Sequence, residues 1–169
     1  MRYLTMILCA ALLSGSAIGQ SKMKFGHIDS QLLLEAMPEK ATADKTLETF
    51  AMQLEKQLQA MSTEWESKVK DYRENEAVMS DIIAETKAEE IQNLEQRIQA
   101  FQQNAQQRLA KEEGTVYQPI LDKAKASIEK VAEENGYSYV FDTSSGSLLY
   151  QPESDDILPL VKTDLGITQ

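Results

Sequence analysis

The residues that could do chemistry in this sequence are few and badly placed for it. His27 is the only histidine and Cys9 the only cysteine, so no set of imidazole and thiolate ligands exists for a metal site. Glu89-Glu90 and Glu112-Glu113 are paired carboxylates. Neighbours along a helix point in different directions, so these pairs read as a solvated face and not as an acid and its base. Ser144-Ser145 has no base nearby in sequence to activate a hydroxyl. No glycine-rich phosphate loop occurs. The sequence therefore predicts no catalytic residue, no metal, no cofactor and no enzyme.

What remains is contact chemistry. Met52, Met61, Trp65, Tyr72, Met79 and Phe101 are soft or aromatic side chains, suited to an adaptable surface for varied partners. The competing reading places Met61, Trp65 and Phe101 in a helix–helix seam. Met52 and Met79 lie off the main apolar stripe, which favours the contact role for them.

The elements that must position these residues follow from periodicity. Leu47, Ala51, Leu54, Leu58, Met61, Trp65, Val69 and Tyr72 recur at steps of three and four, one helical stripe. A second stripe runs through Ile91, Leu94, Ile98, Phe101, Ala105 and Leu109, and on through Tyr117, Ile120, Ala124, Ile128 and Val131. The pattern breaks near Arg73–Lys87. Two helices, roughly Glu39–Glu76 and Ser80–Glu134, are predicted to fold back on each other there. At ~1.5 Å per residue the first reaches about 55 Å, too long to be buried in one small globule, so it projects. Pro119 predicts a kink where the arm meets its base.

The flanks predict that base. Lys24–Asp29 alternates as a short strand, with Phe25 and His27 on one face and Ile28 on the other. Ser30–Met37 reads as a short helix that turns Leu32, Leu33 and Leu34 toward the base. Tyr137–Asp142 and Ser147–Gln151 read as two strands of a hairpin around Thr143–Gly146. A last helix starts after Asp156, with Pro159 in its first turn and Gly166 at its end. The fold class is α+β, mostly helical: a small β body (20–38 and 136–169) at the base of a long antiparallel two-helix coiled-coil arm (39–135). Three short strands leave open edges, which self-association through Phe25, Ile28, Val140, Phe141, Leu148 and Leu149 would cover.

Composition bounds the partners. The chain has 169 residues and a formal net charge of −10, which disfavours nucleic acid. Arg2, the apolar run Leu4–Leu13 and the small residues Ala17 and Gly19 predict a cleaved signal peptide over 1–19. Cleavage would remove Cys9 and shift the net charge to about −11. No later stretch is apolar enough to cross a membrane.

Several segments, taken in order, resemble the OmpH/Skp family of periplasmic chaperones. They are Phe25-Gly26-His27-Ile28-Asp29, Ala36-Met37-Pro38-Glu39, the run Val131-Ala132-Glu133-Glu134-Asn135-Gly136-Tyr137-Ser138-Tyr139-Val140-Phe141-Asp142, and Asp155-Asp156-Ile157. The resemblance implies a homotrimer with a β body and three arms around a cavity. It implies that the cavity holds unfolded outer-membrane proteins in the periplasm without ATP; that no later stretch is apolar enough to span a bilayer predicts no stable membrane insertion. Well-studied members are basic, whereas this arm, Glu39–Asn135, has 20 acidic and 13 basic residues. The alternative is a structural coiled-coil protein or spacer of the cell envelope, which would want continuous heptads and parallel assembly.

Overall fold

The computed structural model describes residues 23–167. The predicted signal peptide lies outside them. β1 (Phe25–Ile28) leads into α1 (Ser30–Ala36). The arm is α2 (Pro38–Asn75) and α3 (Asp81–Glu134), joined by a 3-10 turn at Glu76–Val78. β2 (Tyr139–Asp142), a second 3-10 turn at Glu153–Asp155 and α4 (Leu158–Asp164) complete the order.

The helix ends have local causes. Asp29 caps α1, its Oδ1 accepting from the Leu32 amide at 2.9 Å. Pro38 opens α2 where no amide is needed. α3 ends in a Schellman cap. The Tyr137 amide donates to the Ala132 carbonyl at 2.9 Å and the Gly136 amide to Glu133 at 3.1 Å. That cap needs the left-handed backbone that Gly136 supplies at φ +70°. The Asp156 carboxylate accepts from the Leu158 amide at 2.8 Å and starts α4. α3 passes through Pro119 as one helix, and the next residue, Ile120, is already in the base core.

The arm is an antiparallel pair with one seam. The predicted stripe residues from Leu47 to Trp65 and from Ile91 to Leu109 are buried or half-buried, and most of the residues between them are exposed. Within those two runs Leu54 and Leu94 are the buried positions, and the rest of the stripe is half-buried. The base is built differently. Leu33, Met37, Ile157 and Val161 are almost wholly buried, packed with Ile28 of β1 and Ile120, Ala124 and Val131 of α3. The last turns of α3 therefore belong to the base core.

β1 and β2 pair in parallel, Phe25 opposite Tyr139 and His27 opposite Phe141. On the other side of β1 a single parallel bridge joins His27 to Asp156, with the Ile157 amide donating to the His27 carbonyl at 2.9 Å. Two expectations fail here. Ser147–Gln151 forms no strand, so there is no hairpin. The segment does not pair with the outer edge of β2, which stays open in the two-stranded sheet, and propensity without pairing does not make a strand. Leu32 does not face the base but is half exposed, because three consecutive helical residues cannot share one face.

Candidate functional site: the arm and the open face of the base

The pleat of the two-stranded sheet separates two faces. Gly26, Ile28 and Val140 turn toward the core. Phe25, His27, Tyr139 and Phe141 occupy the opposite face. His27 is buried, and its Nε2 lies 2.9 Å from the Pro152 carbonyl oxygen, which ties β1 to the chain before α4. Phe25 stacks on Tyr139 at 5.8 Å and on Phe141 at 6.2 Å between ring centroids. These three rings remain 46%, 57% and 44% exposed, and Leu149 and Tyr150 beyond them are exposed almost entirely. The result is an uncovered aromatic face on the sheet and, later in the chain, an exposed irregular apolar segment.

β2 is fastened at its end. Asp142 accepts from the Ser30 hydroxyl at 2.6 Å and from the Ser144 amide at 3.0 Å. Burial works to raise its pKa, but these donors outweigh it and hold the carboxyl below the usual aspartate value.

The arm is cross-linked by charge. Lys68 meets Glu90 at 2.8 Å across the seam, and Lys87 pairs with Asp71 near the tip. At the root Lys123 pairs with Glu39. The lysine hydrogen bonds hold Asp71, Glu90 and Glu39 below their ordinary values. Lys130 likewise holds Asp164 down, helped by Ser127. The lysines that could have formed a basic patch, Lys123, Lys125 and Lys130, are thus each matched by a carboxylate.

Among the contact candidates, Met52 is 54% exposed, whereas Met61, Trp65, Tyr72, Met79 and Phe101 are half-buried. The buried Trp65 indole N–H has no acceptor among the described residues. At the tip Val78 and Ile82 are 83% and 77% exposed. Among the described residues no group of His, Cys, Asp and Glu could hold a metal ion, and no helix is long and apolar enough to cross a membrane.

Residues 24–165, nearly all of this architecture, match the family model described as outer membrane protein (OmpH-like). The chain belongs to the OmpH-like family. It is similar to the chaperone protein Skp of Vibrio cholerae, 24% identical over 139 residues that span 82% of this chain and 81% of that one. It is also similar to the crystal structure of an OmpH-like outer membrane chaperone from Caulobacter crescentus CB15. The TM-score is 0.75 at 16% identity, covering 87% of this chain and 86% of that one. At that identity the likeness is one of fold.

The OmpH-like fold sorts the six residues predicted for self-association. Phe25 and Phe141 are on the uncovered face, and Leu148 and Leu149 are in the exposed segment. Ile28 is 2% exposed inside the protomer's own core, and Val140 packs against that core. Tyr139 and Tyr150 were missed. Tyr139 was available to sequence reasoning, since it stands two residues before Phe141 on the same face of a strand.

Proposed function

We propose that this protein is an ATP-independent holdase of the periplasm. In this reading three copies join through the base, and their arms enclose unfolded outer-membrane proteins. The observation that carries it is the uncovered face of Phe25, Tyr139 and Phe141. Contiguous exposed aromatic surface of this kind marks an association site. Family membership supports the chaperone role, since the relatives are named as chaperones. The antiparallel hairpin satisfies its seam within one chain and leaves no continuous parallel heptad seam, which counts against the envelope spacer.

Diluting a denatured outer-membrane barrel protein into buffer tests the holding activity. The expected result is suppressed light scattering with this protein present, and unsuppressed scattering would sink the reading. Phe141→Asp places a charge where apolar burial is expected, at several kcal/mol. Its mass by light scattering should fall from trimer to monomer. Because the arm is acidic and Lys123, Lys125 and Lys130 are already matched, apolar burial should dominate holding. Client affinity should stay flat or rise from about 50 to 500 mM salt. A steep fall would place a basic patch in control.

A further inference from the structure

α3 contains a glycine that its own fold does not require. Gly114 lies in mid-helix, outside the glycines with positive φ, and a Cβ added there would meet nothing within 4 Å. Glycine inside a helix is destabilising relative to alanine. Neither backbone geometry nor packing within the chain accounts for it.

Its surroundings do. Gly114 lines a cavity of about 490 Å³ where α1, α2 and α3 meet at the root of the arm. Ala110, Gly114, Tyr117 and Leu121 follow one another at helical spacing on α3, and Leu34 lines the cavity from α1. Leu121 is 44% exposed there. The size suits a bound group, since ligand pockets run from about 300 to 1,000 Å³. A side chain at position 114 would intrude on this space.

The rim selects the occupant. Lys40 is held by Asp44 at 2.8 Å, and Asp44 also accepts from the Tyr117 hydroxyl. Glu113, which lines the same cavity, makes no ion pair among the described residues. The unmatched rim charge is therefore negative, on a chain of net charge −10. That disfavours an anionic lipid.

We propose that the cavity beside Gly114 takes apolar side chains from a non-native polypeptide segment flanked by lysine or arginine, with Glu113 meeting the cation. This rests on the holdase reading and gives it an anchor at the arm root.

The test uses the assembled protein and two fluorescent peptides, each a leucine–serine segment, flanked by lysines in one and by glutamates in the other. The wild type should bind the lysine-flanked peptide more tightly. Gly114→Leu should weaken that binding by about tenfold, a loss in keeping with denied apolar burial, while assembly mass holds and the melting temperature does not fall. Glu113→Gln, at an exposed position that folding does not depend on, should narrow the gap between the peptides. Wild-type affinity in Gly114→Leu would overturn the proposal. So would loss of assembly in Gly114→Leu alone, which would make a second copy the occupant, or preference for the glutamate-flanked peptide. Failure of the wild type to suppress aggregation of a denatured barrel protein would instead sink the holdase reading. Suppression without dependence on Gly114 or Glu113 would sink only the cavity.

Discussion

Leu33 in the base and Leu54 in the arm are both leucines on the buried side of a helix, yet their surroundings differ. Leu33 is sealed completely, in a core drawn from β1, α1, α2, α3 and α4 together. Leu54 is 8% exposed and meets only the facing helix across one seam. A site enclosed by several elements cannot collapse when a side chain is removed, whereas a two-helix seam can close up. Leu33→Ala should therefore cost about 3–5 kcal/mol, and Leu54→Ala about 2 kcal/mol. Chemical denaturation of the two variants measures the contrast. Equal costs would mean that the arm is packed as firmly as the base.

A second contrast sets one glycine against another. An added Cβ at Gly26 in β1 would stand 2.9 Å from the Tyr137 ring and 3.2 Å from Ile157 Cγ2. The Lys24 ammonium also lies over the Tyr137 ring, 3.8 Å from its centroid. Gly26→Ala should destabilise by about 1–3 kcal/mol through overpacking. Gly114→Ala should stabilise by about 0.5–1 kcal/mol, because there the change meets only open space. Melting temperatures of the two variants should move in opposite directions. A neutral Gly26→Ala would show that the base yields where the arm was expected to.

The same division explains what could be read from the sequence. The arm is local: residues three and four apart share a face, so periodicity alone placed both helices, their turn and their seam. Asn135-Gly136 and Pro38 marked ends through backbone geometry that needs no distant partner. The base is not local. β1 and β2 are separated by the whole arm, and nothing in either segment tells that they pair in parallel. Ser147–Gln151 looked like a strand because its residues favour one, but it leaves the open edge of β2 unpaired. The need for glycine at position 26 comes from Tyr137 and Ile157, both far off in sequence. The candidate site was legible to the same degree. Phe25 and Phe141 were found from their type, while the matching of Lys123 to Glu39 and of Lys130 to Asp164 appears only once the chain is folded.

The smallest expected effect lies at the far end of the arm. The Lys87 ammonium pairs with Asp71 and holds its carboxyl below the ordinary aspartate value. One turn back along α2, the bond from Lys68 does the same for Glu90 and raises its own pKa. Both pairs are exposed and screened, so their contribution to global stability is slight. Their local effect is larger, because beyond them, over residues 72–86, no side chain is fully buried and Val78 and Ile82 are exposed. A depressed carboxylate contributes stability that is complete above its unfolded pKa, about 4, and is lost as pH falls through the lower folded value. The raised Lys68 contributes below about pH 10 and loses its share above that. The tip should therefore hold from mildly acidic pH upward and loosen in acid, while the base core stays shut. Asp71→Asn reproduces that loosening at neutral pH. Amides over Glu76–Val78 and the first turns of α3 should exchange severalfold faster in this variant. Those around Val131 and Val161 should keep their protection, and the melting temperature should not move. Faster exchange in the base as well would show that arm and base open as one unit.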